Sequence, residues 1–223
     1  LADRSAALAV TAASKSGATA VALPSPGNGA QAVAAAAARA GLDAHAFVPS
    51  RTPFVNKAMI NVHGGEMTVV PGRYDDAAAA YAEAAATEDW FPADCAATAY
   101  PLEGTKTVAY EVVAQRDWTP PDAVVLPVAH GTGLVGIAKG FQELLDAGLL
   151  EREPRLYAVQ PEGCAPVVDS WAGAGEAVTP ASQPDTICGE LEVPDPGRGD
   201  QALAALAGTD GGADRGGDRL PAD

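Results

Sequence analysis

Two short apolar runs, Thr19–Leu23 and Ala123–Val128, each pass through a glycine-containing turn straight into a helix-forming segment. The first turn, Pro24-Ser25-Pro26-Gly27-Asn28-Gly29, opens the alanine-rich stretch Ala30–Ala40; the second, Ala129-His130-Gly131-Thr132-Gly133, opens Leu134–Ala147. Strand, tight turn and helix in repeated succession predict an α/β fold, with parallel sheets carrying helices on both faces. A helix start also presents backbone N–H groups with no carbonyl one turn back, together with the positive end of the helix dipole, so it suits an anion or polar ligand. In open parallel sheets such sites gather at the carboxyl ends of the strands, and both turns are expected to face one crevice.

The rest of the chain keeps the alternation. Leu1–Ser16 predicts a helix with Asp3 in its first turn, where negative charge favours the dipole, and with Gly17 as its stop. Strands are predicted at Asp43–Val48, Glu66–Val70 and Arg155–Gln160, and Ala123–Val128 reads as a buried, valine-rich strand. Helices are predicted at Thr52–Val62, Tyr74–Thr87, Glu103–Gln115, Pro166–Trp171 and, as a short piece, Gln201–Ala207. Asp89–Pro101 has proline and no clear period, so it reads as a crossing segment. Residues 210–223 are dominated by glycine and aspartate and are expected to form a flexible tail outside the core.

Charge narrows the partners. Fourteen Lys and Arg face 29 Asp and Glu, a net −15, which disfavours nucleic acid and anionic membrane. There is no leader pattern and no apolar run of bilayer length, and Cys95, Cys164 and Cys188 are odd in number and widely spaced, like reduced thiols. The expectation is an acidic, cytoplasmic protein acting on a small molecule, with a homo-oligomer admitted. The missing initial Met and the atypical tail predict a chain incomplete at both ends.

The second turn has the chemistry of a phosphate cradle: small residues let the backbone approach, and Thr132 adds a hydroxyl. The plain alternative is a tight packing turn. The first turn also matches G-x-G-x-x-A over Gly27–Ala32, and Arg51 after the next strand would suit a 2′-phosphate, which keeps an NADP-type oxidoreductase as an alternative. No metal site is expected, because His45, His63, His130 and the cysteines lack ligand spacing.

Taken in order, the motifs resemble the fold-type II pyridoxal-phosphate enzymes, the tryptophan synthase β-like superfamily, and within it threonine synthase. Asp3-Arg4 before an alanine-rich helix resembles the family's S-x-K-D-R segment, and Ser25-Pro26-Gly27-Asn28 its S-S-G-N loop. Glu103-Gly104-Thr105-Lys106-Thr107 is similar to a threonine-synthase stretch, and Val128–Leu134 stands where the family's phosphate loop belongs. The resemblance implies two subdomains: 18–95 carrying the Asn loop, and 1–17 with 96–209 carrying the phosphate loop. It implies that Asn28 bonds the phenolic oxygen of the cofactor ring, that Gly131, Thr132 and Gly133 hold its phosphate, and that Ser25 and Gly29 bind the carboxylate of an amino-acid substrate. Arg51, Asn56 and Lys57 lie in a segment that could reach a leaving phosphate. Threonine synthase converts O-phosphohomoserine to threonine and phosphate, a lyase reaction in amino-acid biosynthesis.

Two departures accompany these matches. The family's Schiff-base lysine falls at Ala2, which has no amine, so no catalytic residue is assigned and pyridoxal phosphate is expected to bind non-covalently. Pro26 replaces the second serine of the loop and removes a hydroxyl and a backbone donor. The implied protein is an impaired, threonine synthase-like pseudoenzyme; a non-catalytic relative that binds an amino acid or phosphate is a further alternative.

Overall fold

The computed structural model describes residues 1–95 and 97–218, which fall into two compact units dividing between Gly104 and Thr105. The first unit contains α1 (Ala2–Ser16), β1 (Ala20–Pro24), α2 (Asn28–Ala40), β2 (Asp43–Pro49), α3 (Phe54–Val62), β3 (Glu66–Val70), α4 (Tyr74–Ala85) and β4 (Phe91–Pro92). Its sheet has the order β3-β2-β1-β4, and every pairing is parallel. β1 is paired on both sides and buries all five of its residues, which is why its sequence is an unbroken apolar run rather than an alternating one. The chain steps outward from β1 to β2 to β3, and α4 then returns it to the far side of β1. The strand order therefore reverses between β1 and β4, and the turn that leaves β1 stands at that switch point.

Alanine accounts for the helix packing of this unit. Ala6, Ala9, Val10 and Ala13 of α1 share a core with Val33, Ala34 and Ala37 of α2. Alanine is the strongest helix former, and its small side chain lets the helix backbones approach closely. Aromatics gather elsewhere in the unit: His45 stacks on Trp90 with ring centroids 4.5 Å apart, and Phe47 meets Tyr81 at 5.9 Å.

The helix α5 (Tyr100–Ala114) runs across the division into the second unit, which continues with β5 (Ala123–Pro127), α6 (Thr132–Asp146), β6 (Arg155–Pro161), α7 (Pro166–Ala172), α8 (Gly199–Gly208) and β7 (Gly212–Gly216). These strands form a second parallel sheet, β5-β6-β7. Its core joins Leu134, Ile137 and Phe141 of α6 to Leu156 of β6, Val167 of α7, Leu203 and Leu206 of α8, and Val113 of α5. Among the described residues, no helix is long and apolar enough to cross a membrane.

The fold class is the expected one, and three local expectations change. Residues 212–216, expected within a flexible tail, form β7, which pairs with β6 from Tyr157–Gly212 to Pro161–Gly216. Its charges have partners: Arg215 Nε donates to Asp169 Oδ1 at 3.0 Å, and just beyond the strand Asp218 Oδ2 accepts from the Gly163 N–H at 2.6 Å. The last part of that expected tail, residues 219–223, lies outside the described residues. β5, expected to be buried, is an edge strand; Val124 and Leu126 pack on the core while Val125 between them is 63% exposed. The crossing segment contains the two-residue strand β4, which is too short to carry a period. α1 lies in the first compact unit.

Candidate functional site

At the end of β1, Ser25 N–H donates to the Phe47 carbonyl at 3.0 Å, extending the ladder with β2 by one bond. The Ser25 side chain is buried, and its Oγ accepts from the N–H groups of Gly27 at 3.3 Å and Ala30 at 3.2 Å. The Ala30 N–H also donates to the carbonyl of Gly27, the N-cap residue, at 3.1 Å, so the hydroxyl shares that amide and closes the start of α2 from upstream of Gly27. A hydroxyl has two lone pairs and one proton; here both lone pairs serve the loop, leaving the O–H as the group Ser25 has to offer a ligand. Gly29 leaves room for that oxygen, since a Cβ there would stand 3.0 Å from Ser25 Oγ. Asn28, the first residue of α2, is exposed at the rim of the turn.

Further round the first unit, Lys57 Nζ donates to the Ser50 carbonyl at 2.7 Å, which fixes the lysine on the strand-end loop. Arg51 is exposed beside it, and Asn56 is half-buried in α3. His63 turns out to be the C-cap of α3, so His63-Gly64-Gly65 is a helix-ending turn.

In the second unit, Val128 follows β5 and its N–H donates to the Val159 carbonyl at 3.0 Å. The chain then turns through Gly131, the N-cap of α6, at φ 89°. That conformation suits glycine, and the space requires it as well: a Cβ would lie 2.8 Å from the Arg198 carbonyl oxygen. Arg198 also donates its N–H to the His130 carbonyl at 3.0 Å, so the backbone ahead of α8 braces the turn from behind. Gly131 is buried, while Thr132 and Gly133 are half-exposed at the helix start.

Sequence reasoning missed Arg198 and Gln160. Gln160, at the end of β6, is fully buried; its Nε2 donates to the Val128 carbonyl at 3.1 Å, and its Oε1 accepts from the N–H groups of Val167 at 2.8 Å and Val168 at 3.2 Å. The available signal was a glutamine closing the apolar run Leu156–Val159, which marks a polar group buried with its partners.

Besides Lys57, two further lysines are engaged in structure. Lys106 of α5 and Lys139 of α6 converge on the carboxylate of Glu143, which also accepts from the Tyr110 hydroxyl. These hydrogen bonds, led by that of Lys139, pull the Glu143 carboxyl down to a pKa of about 2. Burial and the bond to Glu143 push the Tyr110 hydroxyl up.

A family model described as pyridoxal-phosphate dependent enzyme matches residues 1–215. The chain belongs to that family. A threonine synthase of Methanosarcina acetivorans is 30% identical over 177 residues, covering 79% of this chain and 44% of the relative. A threonine synthase of Methanocaldococcus jannaschii is 28% identical over 213 residues, covering 95% of this chain and 52% of the relative. The chain thus spans about half the length of the curated relatives it matches. Among solved structures, maize serine racemase superposes with a TM-score of 0.81 at 20% identity, covering 97% of this chain and 62% of its own. The processed threonine deaminase isoform 2 of Solanum lycopersicum superposes with a TM-score of 0.76 at 22% identity, covering 92% and 57%. At these identities the likeness shows the fold: the parallel-sheet architecture is that of pyridoxal-phosphate enzymes.

The family's cofactor is pyridoxal phosphate, and the residues present fit its phosphate. The start of α6 offers main-chain amides, with small side chains and a glycine pressed onto the Arg198 backbone.

Proposed function

We propose that this chain is the cofactor-binding part of a threonine synthase-like lyase, and that it binds pyridoxal phosphate without a covalent link. The observation that carries the cofactor role is the turn at Gly131, wedged against Arg198 and opening the long helix α6. Gly131, Thr132 and Gly133 hold the phosphate through main-chain amides, with the Thr132 hydroxyl as a further donor. In the first unit, Asn28 takes the edge of the ring. Ser25 donates its O–H to a substrate carboxylate, and Gly29 keeps the space in which that hydroxyl turns. When bound, pyridoxal phosphate supplies an electron sink for charge developing at an amino-acid substrate. The threonine synthase names of the relatives support a threonine-forming lyase, for which the motif resemblance implies O-phosphohomoserine as substrate.

Ala2 limits what these residues can do. It opens α1 and has no amine to link the cofactor or to move a proton at the substrate α-carbon. Turnover is therefore impaired, and binding is the function we assign to the residues present. The same alanine favours a second reading, a non-catalytic relative that senses an amino acid or phosphate.

The test is retention. Purified chain is mixed with pyridoxal phosphate and dialysed, and its visible spectrum is recorded with and without amino acids. Retained absorbance that falls when inorganic phosphate competes is the expected result; a colourless protein in both conditions would refute cofactor binding. Product formation from O-phosphohomoserine at a wild-type lyase rate would refute the impairment. Melting that rises with an amino acid alone, without cofactor, supports the sensor instead.

A further inference from the structure

We infer that Gln160 is a positioning residue for the phosphate loop, an inference that rests on the proposal that Gly131–Gly133 hold a phosphate. A primary amide buried this fully costs stability unless it is hydrogen-bonded, so its three bonds define its role. The partners fix which way the amide points. The Val128 side presents a carbonyl, which requires the NH2 group, and the α7 side presents two N–H groups, which require the oxygen.

Both ends of this bridge matter. Val128 is the residue from which the loop departs, and both of its backbone groups are held by the end of β6: the N–H by the Val159 carbonyl and the carbonyl by the Gln160 side chain. Val167 and Val168 belong to the first turn of α7, where amides have no carbonyl one turn back. One side chain therefore closes an open helix start and an open strand end together. With the Arg198 N–H on the His130 carbonyl, it leaves the loop pinned on either side of Ala129. Amides aimed at a phosphate bind well only if they need no rearrangement on binding, and Gln160 supplies that rigidity without touching the ligand.

The experiment compares two variants with a control. Gln160→Met keeps the volume and removes all three bonds; Leu156→Ala, in the same strand, fully buried and paired with Val124 four residues ahead of Val128, weakens the core while leaving those three bonds in place. Pyridoxal phosphate affinity is measured by equilibrium dialysis at a temperature where each protein is folded. Gln160→Met is expected to bind about tenfold or more weakly, with faster hydrogen exchange in residues 128–133, while Leu156→Ala melts earlier and binds as the wild type does. Gln160→Glu gives a readout that a purely structural role would not move. When protonated, its carboxyl donates to the Val128 carbonyl; when ionised, it repels it. Its affinity relative to wild type should therefore fall as pH rises through the carboxyl pKa.

If no variant folds, the wild type still decides. The Gln160 side-chain NH2 resonances should exchange slowly and shift on addition of pyridoxal phosphate, and unchanged resonances would overturn the inference. A wild-type chain that retains no cofactor overturns the phosphate cradle and this inference together. A wild-type chain that binds, with Gln160→Met binding equally well, overturns the inference alone.

Discussion

Among single residues, Gly131 is the most tightly constrained position of the proposed phosphate cradle. Its φ of 89° and the 2.8 Å approach of the Arg198 oxygen to the position of a Cβ leave no room for a side chain. Gly131→Ala is expected to lose at least about tenfold in pyridoxal phosphate affinity, because left-handed strain of about 1–2 kcal/mol adds to the displacement of the backbone behind the loop. Dialysis, with circular dichroism to confirm the fold, checks it. Glu143 makes a different prediction. Its carboxyl is pulled from 4.5 down to about 2, so its contribution to stability is complete above the ordinary value and is lost as pH falls towards about 2. Because the side chain is about 35% exposed, solvent screening keeps the effect small. Acid unfolding of Glu143→Gln should show a shallower pH dependence in that window than the wild type, measured by denaturant midpoints at each pH.

Among the elements, the start of α2 shows how a loop that resembles a binding motif is also a structural device. Ser25 closes two amides of the turn, so Ser25→Ala should destabilise the chain by about 1 kcal/mol in urea titration even without ligand. A neutral result would mean that the hydroxyl does not hold the helix start. Most elements were legible from sequence for local physical reasons. Gly17 and Gly41 stop α1 and α2, Asp75 and Asp76 start α4, and the unbroken apolar run of β1 marks a strand covered on both sides. The failures share a cause. β7 is built from Gly, Ala, Asp and Arg, whose local preferences oppose a strand; what holds it is pairing along β6 and the Asp169–Arg215 bond, both contacts with distant residues. The exposure of β5 is likewise a matter of its place at the sheet edge. For the candidate site, the helix-start glycines were visible because a tight turn into a helix is a local pattern. Gln160 and Arg198 were not, because their partners lie on other elements.

At the scale of the whole molecule, charge dominates. A net charge of −15 makes the folded chain repel itself, and salt screens that repulsion. The melting temperature should rise as sodium chloride is added from low ionic strength, with pH and buffer fixed; a melting temperature that falls or stays flat would show that local ion pairs, such as Asp122–Arg152, outweigh the global term.

The outer edge of β5 carries a practical consequence. Its last residues lead directly to the proposed phosphate loop, and its exposed Val125 flanks a row of backbone groups that no other described strand pairs. Such an edge is a template on which a second chain can add a strand, so the proposed cofactor loop adjoins the segment expected to seed fibrillar assembly in concentrated stocks. Ligand that steadies the loop should lengthen the lag before thioflavin-positive material forms, and Val125→Lys should lengthen it without ligand. Shelf life and cofactor occupancy would then be read from the same strand.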